Sequence, residues 1–242
     1  MVSATITPVN LPITGERTVP GVPAENYWFR RHEVAYLAAA EFCRGARALD
    51  AGCGEGFGAA IVRAAGAARV VALDYDMVTA LHVGTWYGLP VVRANLVALP
   101  FRDAAFDVVL SLQTIEHVWD QPALLAECAR VLRPGGRLVL TTPNRSTFPP
   151  GNAFHQREMD AAELLALVAG AGLRTETILG IHHGPKFDEY PGDVVSDQLA
   201  AEPQGWPFGL AALVSSVTAH DFTFSPDRLD ECLDLYLVAG HP

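Results

Sequence analysis

The eleven residues Ala48–Gly58, Ala-Leu-Asp-Ala-Gly-Cys-Gly-Glu-Gly-Phe-Gly, constrain this chain more than any other stretch. An acidic residue, Asp50, ends an apolar run, and Gly52, Gly54 and Gly56 follow at every second position. The pattern reads as a strand feeding a glycine loop that opens a helix. Glycine lacks a Cβ, so such a loop reaches positive φ and lets a ligand approach its backbone. The loop N–H groups and the helix N-terminus then face a polar ligand. A dinucleotide loop wants G-x-G-x-x-G. Counted from Gly52, the third glycine falls on Phe57, and from Gly54 the set Gly54, Gly56, Ala59 fits only the relaxed form. Asp50, two residues before the first glycine, suits the ammonium group of an amino-acid ligand.

The rest of the chain alternates short apolar runs with helical patterns. Predicted strands are Arg47–Asp50, Arg69–Asp74, Pro90–Ala94, Phe106–Leu112, Arg137–Thr142, Thr175–Ile181 and Cys232–Val238. Predicted helices are Ala24–Cys43, Gly56–Ala65, Met77–Tyr87, Pro122–Leu132 and Asp160–Ala171. The alternation implies an α/β fold with a doubly wound, mostly parallel, seven-stranded sheet. The Pro-, Thr- and Gly-rich residues 1–24 read as an extended arm. Residues 182–228 read as an inserted helical cap, with helices at Val194–Ala201 and Leu210–Thr218. Nothing repeats and no linker splits the chain, so 1–242 is expected to be one domain.

With 242 residues, half of them hydrophobic, the chain can bury a sizeable core. The net charge of -10, with no Lys/Arg cluster, argues against a nucleic-acid partner. No apolar segment is long enough to span a membrane, and the first residues do not read as a signal peptide. The four cysteines lie far apart, with no C-x-x-C, which fits a reducing, cytoplasmic setting and disfavours a cysteine zinc site.

Asp74 lies 24 residues beyond Asp50, at the end of the second predicted strand. A carboxylate there can accept from both ribose hydroxyls of a nucleoside ligand. The rival role is a cap on the following helix, which Asp76 can also fill, and the fit of Asp74 to the frame of the glycine loop favours the ribose. Ordered motifs follow: Leu99-Pro-Phe-x-Asp103, Phe106-Asp-Val-Val109, Glu116-His117, Leu132-Arg-Pro-Gly-Gly-Arg-Leu138 and Thr142-Pro-Asn144. Together with the glycine loop they resemble class I S-adenosylmethionine (SAM)-dependent methyltransferases over roughly residues 45–180. The resemblance implies a Rossmann-like methyltransferase fold and SAM as cofactor. It also implies that Asn95 stands where the family usually has an Asp for the adenine amino group, with Leu96 beside it. Thr14–Gly21, Glu25–His32, the Asn152–Glu158 loop and the final Leu-Asp-x-Cys-Leu-Asp-Leu pattern extend it to actinobacterial-type sugar and polysaccharide O-methyltransferases.

The cofactor set so implied is Asp50, Gly52, Gly54, Gly56, Asp74, Tyr75, Asn95, Leu96, Gln113, Tyr27, Arg30 and Arg31, with Arg30 or Arg31 clamping the methionine carboxylate. Catalytic candidates are His117 and His155, either of which can take a proton from a hydroxyl, with Glu116 or Glu158 orienting the ring. His182 and His183 are a further reserve. A divalent metal such as magnesium at Glu116 and His117 is a second way to activate the hydroxyl. The expected reaction is SAM-dependent O-methylation of a sugar or oligosaccharide hydroxyl. The rivals are a quinone or polyketide methyltransferase, an NAD-dependent oxidoreductase, and a non-catalytic SAM-binding module. Small-molecule acceptor, no nucleic acid, no membrane and a homodimer complete the expected partners.

Overall fold

Three apolar runs are buried along nearly their whole length, as expected of central parallel strands covered on both faces. They are β1 (Arg47–Ala51), β2 (Arg69–Asp74) and β4 (Phe106–Leu112). The computed structural model describes Leu11 and residues 16–242. Most of the predicted arm, Thr14 and Gly15 included, therefore lies outside the described residues. The remaining strands are β3 (Val91–Arg93), β5 (Leu132–Pro143), β6 (Arg174–His183), β7 (Phe222–Ser225) and β8 (Asp234–Gly240). They form one sheet in the order β3-β2-β1-β4-β5-β8-β6-β7. Strands β1 to β5 run parallel, β8 runs against β5 and β6, and β7 against β6. No helix among the described residues is long and apolar enough to cross a membrane.

The sheet has eight strands, one more than the sequence predicts. The extra strand, β7, comes from inside the segment read as a helical cap and pairs with Gly180–His183. Its Phe-Thr-Phe-Ser alternation spans only four residues before Pro226, too short a period-2 signal to stand out. Both ends of residues 182–228 thus belong to the sheet, and α6 (Val194–Ala200) and α7 (Leu210–Ser216) lie between them.

Helices α1 (Asn26–Cys43), α2 (Phe57–Ala64), α3 (Met77–His82), α4 (Gln121–Val131) and α5 (Ala161–Gly170) complete the fold. Two apolar cores form. Tyr27, Tyr36 and Ala39 of α1 share one with Val194 of α6 and Leu210 of α7. Leu124 and Leu125 of α4 share the other with Leu164 of α5. The α4 amino end is capped by Asp120 on the Ala123 N–H, and α5 by a reciprocal Asp160–Glu163 box. Arg31 of α1 makes two hydrogen bonds of 2.6 Å to the Asp234 carboxylate at the start of β8. Gly58 clears room for the Tyr36 ring, which occupies the space a Cβ there would need.

Candidate active site

The glycine loop sits at the carboxyl ends of β1 and β2. Gly52 and Cys53 both donate to the Leu73 carbonyl, at 2.9 Å each, which pins the loop to β2. Gly52 has φ 91°, and the Thr114 side chain fills the place of its missing Cβ. Only glycine meets both demands cheaply. Asp74 accepts from the Gly54 N–H at 3.0 Å and the Asp76 N–H at 2.9 Å. Asp76, not Asp74, caps α3, through the Val78 and Thr79 N–H groups. Asp74 therefore keeps a lone pair on each oxygen for a ligand, and burial raises its carboxyl above the usual range. Asp50 is fully buried. One of its oxygens accepts from the Tyr36 hydroxyl at 3.0 Å; the other has no partner. Burial pushes its carboxyl up to about 7.

A cleft runs over this loop, lined by Gly52, Gly54, Asp74, Tyr75, Leu96 and Gln113, with Glu16–Thr18 on its far side. Asp74 and the close-approach loop suit a ribose and a backbone-hugging chain, and the unpaired oxygen of Asp50, buried and not part of the cleft lining, supplies negative charge for an ammonium group. The residues present fit an amino-acid-bearing nucleoside.

Beside the cleft lies a cavity of about 840 Å³, walled by Trp28, Phe148, Asn152, Gln198 and Trp206 among others. Gln113, His32 and His117 line both spaces. Gln113 holds φ 50°, unusual for a residue with a side chain, at the turn out of β4. His117 lies on the turn Ile115–His117 just beyond it. Its Nδ1 pairs with the Phe154 carbonyl at 3.0 Å and so carries the proton. That leaves the Nε2 lone pair unshared, and burial lowers the ring's pKa. His155 is held at both nitrogens, Nδ1 by the Glu158 carboxylate at 2.8 Å and Nε2 by the Asn152 amide at 3.1 Å. Its ring stands at 85° to that of His117, centroids 4.9 Å apart. Glu116 is buried, accepts from the Thr142 hydroxyl at 3.1 Å, and is pushed up to about 8 by burial. One donor atom each of Glu116, His117 and His155 lie within 4.8 Å of one another, a spacing that could hold a metal ion.

Several predicted roles are not met by this arrangement. Arg31 is committed to Asp234, and Arg30 to Glu33 at 2.7 Å and Asn26 at 3.2 Å, so neither reaches the cleft as a carboxylate clamp. Arg17, whose guanidinium lies 3.5 Å from Asp76, is the arginine that lines it. Tyr27 is fully buried beneath the cap, 2.7 Å from His183 Nε2. His183 stacks on Phe187 and is pushed down to about 4 by burial, so it is packing rather than a reserve base. His182 lines neither the cleft nor the cavity. Glu116 stands 3.9 Å from His117 Nε2, too far to orient it; the Phe154 carbonyl does so. Asn95 spends its amide oxygen on the Val97 N–H, while Leu96 faces the cleft. His32, which burial pushes down to about 4, and Tyr36, the partner of Asp50, were not singled out. Both lie on α1, where the 3.6-residue pattern reads as core.

A doubly wound sheet whose glycine loop follows an acid-tipped strand, with a second acid ending the next strand, defines a site for a nucleoside-bearing cofactor. Comparison narrows the class. The methyltransferase-domain family model matches residues 49–140. A "Probable S-adenosylmethionine-dependent methyltransferase" of Mycolicibacterium smegmatis is 46% identical over 250 residues, 97% of each chain. A ubiquinone biosynthesis O-methyltransferase of Serratia proteamaculans is 30% identical over 59% of this chain and 68% of its own. A chain of the complex between the Haloferax volcanii Trm112 methyltransferase activator and a methyltransferase shares the fold. It has a TM-score of 0.64 at 17% identity, over 89% of this chain and 90% of its own. The chain belongs to the SAM-dependent methyltransferases.

Proposed function

We propose that the protein transfers the SAM methyl group to a hydroxyl of a small-molecule acceptor, a sugar or oligosaccharide, with His117 receiving the hydroxyl proton. When bound, SAM supplies a methyl group on a sulfonium, already activated as an electrophile. The protein then has to orient an oxygen behind that methyl and take its proton. The single observation that carries the reading is the unshared Nε2 lone pair of His117 at the junction of cleft and cavity. His155, bonded at both nitrogens, buttresses the His117 ring. Asp74 holds the ribose, Leu96 meets the adenine, and the second oxygen of Asp50 takes the ammonium group. The segment around Arg17 covers the methionine end.

Residues 182–228 act as the acceptor cap of a single domain, since Gln198 and Trp206 wall the cavity. Its mixture of indole rings and side-chain amides suits a molecule with apolar faces and several hydroxyls. The Asn-x-Phe-His-x-Arg-Glu loop, which contributes Asn152 and His155, is the sequence basis for choosing a sugar. A second reading, a quinone-like phenol, draws on the Serratia relative, a ubiquinone biosynthesis O-methyltransferase.

The test is methyl transfer from labelled SAM to neutral oligosaccharides and, in parallel, to a catechol. Labelled oligosaccharide, with kcat lost about 100- to 10,000-fold in His117→Ala and SAM affinity kept, supports the proposal. Label on the catechol alone would sink the sugar reading. Near-wild-type kcat in His117→Ala would sink the role given to the imidazole.

A further inference from the structure

The close approach of Glu116, His117 and His155 exceeds what one proton acceptor needs. We propose that these three side chains bind a divalent first-row transition-metal ion at the floor of the acceptor cavity. The inference rests on the reading of this cluster as the place where the acceptor hydroxyl is activated.

The three donors come from two segments that are fastened together. Glu116 and His117 lie on the turn after β4, and His155 on the loop that follows β5. The Gln156 and Arg157 N–H groups both donate to the Glu116 carbonyl, at 2.7 and 3.3 Å. The Gln121 amide bridges the Ile115 and Arg157 carbonyls, at 3.1 and 2.9 Å. The juxtaposition is therefore built into the backbone.

Each donor is also held from behind. The Nδ1 of His117 is tied to a backbone carbonyl and that of His155 to a carboxylate, while Thr142 holds the Oε2 of Glu116. Metal-bound histidines almost always have such a partner on the far nitrogen. Two ligands each about 2.0–2.2 Å from one zinc ion lie at most roughly 4.4 Å apart. Glu116 Oε1 and His117 Nε2 are already 3.9 Å apart. No pair is wider than 4.8 Å, so binding an ion asks for a further approach of only about 0.4 Å. One existing contact must yield: the Asn152 amide, which bonds His155 Nε2 at 3.1 Å, swings into the cavity it lines.

Donor chemistry selects the ion. Two imidazoles and one carboxylate suit zinc, iron, cobalt or manganese, whereas magnesium wants oxygen ligands. The magnesium expected from sequence is therefore the poorer match. Three protein ligands also leave coordination positions open toward the cavity. An ion there would occupy the Nε2 lone pair of His117 and would supply Lewis-acid polarisation of the acceptor hydroxyl, so the proton given above to His117 would pass to solvent water in the metal-loaded protein and to His117 only in the metal-free one.

The experiment is metal titration of the full-length, chelator-stripped protein, without acceptor. Cobalt(II) is followed by its visible absorption, and zinc and magnesium by calorimetry, with SAM binding measured on the same samples. We expect one tight equivalent of cobalt or zinc, a cobalt spectrum distinct from the aqueous ion, and no magnesium heat. His155→Ala and Glu116→Gln should each abolish tight binding. Glu158→Gln, which alters only the group behind His155, should weaken zinc by about 10- to 100-fold. A thermal melt confirms that each variant is folded. An aqueous-type cobalt spectrum at stoichiometric protein, or unchanged zinc affinity in folded His155→Ala and Glu158→Gln, overturns the proposal. If SAM binding and His117-dependent methyl transfer persist in that case, the reading of the reaction stands and the metal alone is refuted.

Discussion

Replacing Arg31 by Leu separates a structural role from a cofactor role. The Arg31 and Asp234 side chains are 2% and 0% exposed, and two hydrogen bonds of 2.6 Å join them. At an effective dielectric of ~20, two unit charges some 4 Å apart attract by about 4 kcal/mol. Removing one partner strands the other charge in the core, which typically costs about 3–5 kcal/mol. For a chain of 242 residues, about 2–4 °C per kcal/mol turns this into a Tm drop of roughly 6–20 °C. Arg31→Leu with Asp234→Leu should recover much of the loss, because no charge is then left unpaired. Scanning calorimetry supplies the Tm values and titration calorimetry the SAM affinity, which should be unchanged in the folded single variant. A Tm within a degree of wild type would refute the energetics. A large loss of SAM affinity at unchanged Tm would refute the structural role and restore Arg31 as a cofactor ligand.

Asp74→Ala should weaken SAM by about 1.5–3 kcal/mol in calorimetry, the loss of charged hydrogen bonds to a ribose; equal affinity would make Asp74 only a brace for the loop. SAM affinity should also fall as the pH drops below about 7, because burial raises the Asp50 carboxyl to that range and its protonated form loses its attraction for an ammonium group. Asp50→Asn should flatten that profile, and a profile unchanged by the substitution would exclude the contact. Trp206→Ala, at the cavity wall, should raise the KM for the acceptor while sparing SAM affinity. Excising residues 186–205 is a poorer test, since Phe187, Val194 and Val195 are buried in the core shared with α1.

The sequence reading succeeded where the physics is local. Buried parallel strands announce themselves as continuous apolar runs, and the predicted Phe106–Leu112 strand matches β4 residue for residue. The glycine loop and Asp74 were legible because backbone conformation and strand position constrain them directly. Contacts between distant segments were not. Nothing in the spacing of Arg31 shows that it will meet Asp234, 203 positions later. Likewise the bond between His117 and the Phe154 carbonyl, which sets the tautomer, joins residues 37 apart. A motif could nominate His117 and His155 together; only the hydrogen bonds around them separate an open lone pair from a satisfied ring. The short β7 and the half-buried His183 show the same limit, because both depend on where the cap folds back.

The central claim is that methyl transfer takes place where the cleft meets the cavity, at His117. A crystal structure with S-adenosylhomocysteine tests it most directly. The expected result is the ribose on Asp74, the adenine against Leu96, the ammonium group toward Asp50, and the sulfur turned to the junction faced by His117 Nε2. A cofactor bound with its sulfur directed away from His117, or outside the glycine-loop cleft, would contradict it.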